Sequence, residues 1–237
     1  MYEHPAENVY NLLANEYLIV KDENGIPVDE LKWTGSEYQK VKYLSFKSDM
    51  FKNVKPYNND VYQALAMDSL ASNKITMIKG TAATGKSYLF IGYLMSLMDK
   101  HKIDKIIVFC NTVATANAAK LGFLPGEQWE KLVDASIGNM LSAKFGSKDY
   151  VTHMITEEKL RLLPMCDVRG FDTTGMNCGV YITEAQNMDI SLMKLAVQRI
   201  GEDSVCTIID GDYNTQVDSN QYSGSKNGMH RLSEGVS

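Results

Sequence analysis

The sequence is poor in the residues that staple small secreted folds or hold metals. Its 237 residues include four cysteines, Cys110, Cys166, Cys178 and Cys206, none in Cys-x-x-Cys spacing and most beside apolar neighbours. That pattern excludes a dense disulfide scaffold, argues against a zinc site and reads as free, buried thiols in a reducing compartment. His4, His101, His153 and His230 are scattered without ligand spacing and read as surface or loop residues. Long apolar runs are missing as well. The longest, Tyr88 to Met98, contains Gly92 and Ser96 and is too short to cross a bilayer. The first residues lack the apolar core of a signal peptide. A soluble, cytoplasmic protein without a membrane partner is expected. Positive charge is not in excess: 24 Lys and Arg against 29 Asp and Glu give a net charge of −5. A dedicated nucleic-acid binder often carries a global basic footprint, which is absent here, although a local basic groove stays compatible. With 44% hydrophobic and 22% charged residues the chain is ordinary globular material, enough for one large domain or one domain with an appendage.

What is present is Gly80-Thr81-Ala82-Ala83-Thr84-Gly85-Lys86-Ser87. It fits Gly-x-x-x-x-Gly-Lys-[Ser/Thr], the phosphate-binding P-loop. A triphosphate is polyanionic, so its loop must offer many donors at close range. Gly80 and Gly85 let the backbone bend and approach without a Cβ in the way, and the amides between them can turn inward as an anion nest. Lys86 offers a point charge to the β- and γ-phosphates of ATP, and Ser87 a hydroxyl to Mg²⁺. The dipole of a helix starting here adds to the attraction. The β-prone run Lys74 to Ile78 precedes the loop and the helix-prone run Tyr88 to Met98 follows it, the strand–loop–helix order a P-loop requires.

Residues 1–55 read as a β-rich N-terminal region and 56–237 as the P-loop domain, with Pro56 at the boundary. Tyr17 to Val20, the Asp22-Glu23-Asn24-Gly25 turn and Ile26 to Trp33 form a hairpin signal, and Gln39 to Phe46 suggests another strand. Lys40, Lys42, Lys47, Lys52 and Lys55 interleave with Tyr38, Tyr43, Phe46 and Phe51. This fits either a nucleic-acid surface or a small sheet with a solvated lysine face. Asn58 to Ser72 reads as a helix. Gln63, near its start, could read adenine, since its amide both donates and accepts; an ordinary exposed glutamine fits the position equally. Lys105 to Cys110, Lys159 to Pro164, Gly179 to Thr183 and Val205 to Ile209 read as strands, Glu127 to Lys144 and Met188 to Ile200 as helices. Strands alternating with helices predict an α/β fold, a parallel-sheet P-loop NTPase core of RecA-like type behind the N-terminal hairpin. Ligands of such sheets bind at the carboxyl ends of the strands, where the P-loop, Glu184 and Asp212 all fall. Glu184 suits a general base that polarises water, and Asp212 with Gln216 could sense the γ-phosphate.

These residues resemble the PhoH-like proteins, P-loop ATPases whose core is similar to that of superfamily 1 helicases. The resembling stretches are Gly80 to Ser87, Leu121 to Gly126 with Glu130-Lys131, Arg169-Gly170, Glu184-Ala185-Gln186-Asn187, and Gly211-Asp212 with Gln216-Val217-Asp218, while Lys32-Trp33-Thr34-Gly35 looks like a segment preceding the ATPase core. The resemblance implies ATP and Mg²⁺ binding, ATP hydrolysis, RNA-linked work and a homo-oligomeric ring, often a hexamer. By the family's pattern a last strand and an arginine-bearing segment would follow Ser237.

The departures are specific. The family usually carries Asp-Glu before Ala-Gln-Asn, with the aspartate holding Mg²⁺ through water; here the pair is Thr183-Glu184. Ala83 replaces the second P-loop glycine, which is tolerable if its φ is negative. Arg-Gly-Arg becomes Arg169-Gly170-Phe171, and one extra residue separates Asp212 from Gln216. Asp210 stands where the family commonly has a small polar residue, so Asp and Thr are exchanged between two strand ends. If the Asp210 strand lies between the P-loop strand and the Thr183 strand, Asp210 could supply the metal-associated carboxylate beside Ser87; it could also merely cap a loop. Two functions follow: an ATPase coupled to RNA or single-stranded nucleic acid, or a nucleotide-binding assembly switch with weak or no hydrolysis. Arg161, Arg169, Arg199 and Arg231 are the candidates for a transition-state arginine, Arg169 first.

Overall fold

The computed structural model describes residues 1–111, 133, 136–212 and 224–234. The N-terminal hairpin forms as its pattern predicts: β1 (Tyr17–Lys21) pairs antiparallel with β2 (Pro27–Trp33), and β3 (Tyr38–Lys40) adds to the other edge of β2. The Asp22 carboxylate closes the turn by accepting from the amides of Asn24 and Ile26 at 2.9 and 2.8 Å. The strand expected over Gln39 to Phe46 splits instead. Tyr38 turns into a small cluster with Leu31 and Trp33, whereas Phe46 enters the main core. The chain therefore leaves one sheet and starts another, β4 (Phe46–Ser48) paired with β5 (Lys52–Val54).

Next come α1 (Val61–Ser72), β6 (Ile75–Lys79) and α2 (Lys86–Asp99). Asp60 caps α1 by accepting from the Gln63 amide at 2.8 Å, and a short 3₁₀ turn over Tyr57–Asn59 precedes it, so the helix starts later than the expected Asn58. Phe46, Phe51 and Val54 pack with α2 rather than with the N-terminal sheet. A Cβ at Gly92 would sit 2.6 Å from Val54, so this glycine is what lets β5 lie against the helix. The N-terminal sheet is tied to α1 by Asp68, which accepts from the Tyr17 hydroxyl at 2.7 Å and pairs with Lys32 at 3.1 Å.

The rest of the chain contributes β7 (Lys105–Cys110), α3 (Ser136–Phe145), α4 (Lys148–Thr156), β8 (Leu160–Pro164), β9 (Cys178–Ile182), α5 (Ile190–Gln198), β10 (Cys206–Gly211) and α6 (Gly228–Glu234). The five core strands run parallel in the order β6-β10-β9-β7-β8. β10 thus lies between the P-loop strand and the strand that ends before Thr183. Alternate residues of these strands feed two cores, as the two-residue period requires. Ile106, Val108, Tyr181 and Ile208 join a cluster with α1 to α4 on one face. Ile107, Phe109, Val180, Ile182 and Ile209 join Met193 of α5 and Met229 of α6 on the other. Of the helix expected over Glu127 to Lys144, the described part is buried Val133 and α3; Leu121 to Gly126 and Glu130-Lys131 lie outside the described residues. Among the described residues no helix is long and apolar enough to cross a membrane.

Candidate nucleotide site

The loop from Gly80 to Ser87 joins β6 to α2, and Gly85 enters the helix with φ +85°. The Gly80 amide donates to the Gly211 carbonyl at 3.2 Å, fastening the loop to the end of β10. Lys86 Nζ donates to the Gly80 and Thr81 carbonyls at 2.6 and 2.8 Å, and the Thr84 hydroxyl donates to the Thr81 carbonyl at 2.9 Å. These bonds hold the loop in its curved form and leave the ammonium a third proton. Ala82 is exposed beside them. The negative φ allowed for Ala83 is not what forms: its φ is +63°. The loop curvature places this residue in the left-handed region whatever its side chain, so the Cβ is carried as local strain. Gln63 braces the loop from α1. Its Oε1 accepts from the Tyr57 amide at 2.8 Å and its Nε2 donates to the Thr84 carbonyl at 2.9 Å, leaving one N–H and one lone pair on the amide.

The ends of β9 and β10 face this loop. Glu184, just past β9, is exposed and left-handed at φ +52°. Its carboxylate accepts from Gln186 Nε2 at 2.5 Å. Gln186 is buried, and its Oε1 accepts from the Asp212 amide at 3.1 Å. One side-chain amide therefore bridges the two strand ends. A Cβ on Gly211 would meet Gln186 Oε1 at 2.7 Å, so the bridge needs glycine there. Asn111, at the end of β7, donates to the Glu184 and Asn187 carbonyls at 3.2 and 2.7 Å, and Asn227 donates to the Gln186 carbonyl at 2.6 Å. Thr183 is buried, with its hydroxyl turned 3.5 Å from the Phe109 carbonyl of β7.

Asp210 is buried at the end of β10. Its Oδ2 accepts from the Tyr181 hydroxyl at 2.8 Å, and its Oδ1 is buried without a hydrogen-bond partner among the described residues. Burial pushes the Asp210 carboxyl up to about 6, opposed by the Tyr181 hydrogen bond and the charge of Lys86 and assisted by the charge of Glu184. Burial, with the Asp210 charge adding to it, raises the Tyr181 hydroxyl well above its ordinary value, and a hydrogen bond from the Ser87 side chain pulls it back.

Ala82, Ala83, Thr84, Gly85, Lys86 and Ser87 line a cleft of about 230 Å³ together with Glu184, Asp210 and Asp212. Gly211 lines it too, as do two residues to which sequence reasoning assigned no role, Gln186 inside the Glu184-Ala185-Gln186-Asn187 stretch and Lys144. Lys144 comes from α3, and nothing in its neighbourhood of the sequence marks it as facing the loop. Gly80, Thr81 and Gln63 instead line an adjoining cavity of about 1450 Å³ that also takes in Tyr57, Tyr62 and Tyr88. Gln216 lies outside the described residues. None of the four candidate arginines is among the described residues lining the cleft; Arg161 stacks 4.6 Å from the Phe171 ring centroid.

A parallel sheet whose first core strand runs through a glycine-rich loop into a helix, with acidic residues at the neighbouring strand ends, defines a P-loop NTPase core. Residues 53–237 match the family model described as PhoH-like protein, and the chain belongs to that family. It is 27% identical over 188 residues to a PhoH-like protein of Mycobacterium tuberculosis, covering 78% of this chain and 51% of the relative. It is 28% identical over 156 residues to a PhoH-like protein of Synechocystis, covering 65% and 45%, and 29% identical over 156 residues to the protein PhoH of Escherichia coli, covering 64% and 42%. The chain thus spans about half the length of these curated relatives.

Proposed function

We propose that this nucleotide-binding PhoH-like protein binds ATP with Mg²⁺ and hydrolyses it, and that hydrolysis is coupled to holding or remodelling RNA or another single-stranded nucleic acid. The observation that carries the reading is the convergence of Lys86, Ser87, Glu184, Asp210 and Asp212 on one cleft. Lys86 would exchange the Gly80 and Thr81 carbonyls for phosphate oxygens, and the amides of Thr81 to Thr84 would take the remaining charge. Glu184, held by Gln186, would accept the proton of an attacking water. Asp212, whose amide is joined to the same side-chain bridge, would with Gln216 report the γ-phosphate. The spare N–H and lone pair of Gln63 suit an adenine edge. The donor set fits Mg²⁺: the Ser87 hydroxyl and a buried Asp210 carboxylate oxygen that has no partner among the described residues are hard oxygen donors. When bound, the ion would neutralise charge developing on the phosphates.

The nucleic-acid part rests on exposed Lys42, Lys47, Lys52 and Lys55 with exposed Tyr43. Lys40 is exposed too and pairs with Asp29 at 2.9 Å. Tyr38, Phe46 and Phe51 are buried and would not stack on bases. Assembly into a homo-oligomeric ring is proposed from family membership alone.

Thr183 favours a second reading, a nucleotide-dependent assembly switch with weak hydrolysis, because its hydroxyl turns to Phe109 and β9 brings no carboxylate to the metal position. Phosphate release from ATP in Mg²⁺, with and without RNA, separates the two. Wild type is expected to exceed both Lys86→Ala and Glu184→Gln, with Glu184→Gln still binding ATP. A wild-type rate equal to that of Lys86→Ala under both conditions would overturn hydrolysis and leave the switch.

A further inference from the structure

We propose that Tyr181 is a positioning residue for the metal position, holding Asp210 by one carboxylate oxygen so that the other is presented to a divalent cation. The proposal rests on the reading of Ser87 and Asp210 as the groups that would hold Mg²⁺.

β9 is buried on both faces, and a tyrosine in such a strand must find a partner for its hydroxyl. The ring is fixed in the core, edge-on to Phe90 at a centroid distance of 5.9 Å. The hydroxyl cannot reach water, since Tyr181 is only 1% exposed. It donates its one proton to Asp210 Oδ2 at 2.8 Å. Asp210 is thereby pinned through Oδ2, and its Oδ1 stays buried and without a partner among the described residues. A carboxylate held by one oxygen keeps the other in a fixed direction, which is what a hard divalent cation requires of a ligand. Phenylalanine would fill the core equally well, so the hydroxyl is what separates this role from packing.

The test compares the affinity of a non-hydrolysable ATP analogue in Mg²⁺ and in EDTA, the ratio being the metal-dependent gain. Tyr181→Phe is expected to cut that gain by about tenfold or more, as loss of a group that orients metal ligands does, with the EDTA affinity unchanged. Asp210→Asn should cut it as well. Adding Tyr181→Phe to Asp210→Asn should change the gain by less than about twofold, because the tyrosine acts through the aspartate. If Tyr181→Phe keeps the full gain while Asp210→Asn loses it, the positioning role is overturned and the metal reading stands. If both keep it, the metal reading falls and the positioning role with it. A loss by Tyr181→Phe that is equal in Mg²⁺ and EDTA would also overturn the positioning role. Should Tyr181→Phe alone fail to fold, the double variant, which carries no unpaired carboxylate, is judged against Asp210→Asn: an equal gain supports the positioning role and a further loss contradicts it.

Discussion

Ala83 carries a cost that only its backbone reveals. A left-handed φ of +63° costs an alanine about 1–2 kcal/mol, while glycine adopts it freely at the expense of some unfolded-state entropy. Ala83→Gly is expected to stabilise the protein by about 1 kcal/mol, raising the melting temperature by about 2–4 °C for a chain of this size; calorimetry on the metal-free protein checks it, and a lowered melting temperature would contradict the strain. The same residue shows the limit of reading a site from sequence. The P-loop spacing names Lys86 and Ser87 outright, because the charge of a triphosphate dictates the residue types. A dihedral sign is not written in any residue type, and neither is the direction of a hydroxyl. Tyr181 therefore reads as one more apolar position in a run buried on both faces, where no alternation of polarity marks which side chain reaches a strand-end carboxylate. Lys144 was hidden differently, since it reaches the site from a helix that shares no local pattern with the loop, whereas Gln186 lies in the same short stretch as Glu184 and only its side-chain bridge is tertiary.

The elements themselves were mostly legible. The hairpin, the P-loop helix and all five core strands fall within a residue or two of the runs that announce them, β10 running two residues past Ile209 into Asp210 and Gly211. Helix α4 was not anticipated. Only Val151 and Met154 of its nine residues are buried, too few to set up a helical period, and the Ser147 cap that starts it is a single side chain accepting from Asp149 and Tyr150. The splitting of the strand expected at Gln39 to Phe46 is likewise tertiary, because Tyr38 and Phe46 belong to different cores. Docking of the N-terminal sheet on α1 depends on Asp68, whose partners Tyr17 and Lys32 both lie in that sheet. The Lys32 and Asp68 side chains are 12% and 16% exposed, so removing the carboxylate strands two polar groups in a largely desolvated seam. Asp68→Ala is expected to lower stability by about 2 kcal/mol, read from the denaturant midpoint, with Tyr17→Phe adding little to it because both remove one interaction. Additive losses would contradict the shared seam.

At the scale of the molecule, strand order places the departures from the family pattern side by side. With β10 between β6 and β9, a carboxylate on either β9 or β10 ends up beside the loop that leaves β6. An exchange of Asp and Thr between Thr183 and Asp210 would then keep one negative charge at the proposed metal position. The resemblance to the family pointed to the exchange; the order of the sheet shows that the two positions are neighbours. Family membership follows from the match over residues 53–237, while the proposed hydrolysis would depend on this one carboxylate. The most direct test is the rate of phosphate release from ATP in Mg²⁺ for wild type, Asp210→Asn, and Asp210→Asn combined with Thr183→Asp. The expected result is a loss of at least about tenfold in Asp210→Asn and recovery when the carboxylate is returned to β9. An Asp210→Asn variant that hydrolyses ATP as fast as wild type would contradict the account.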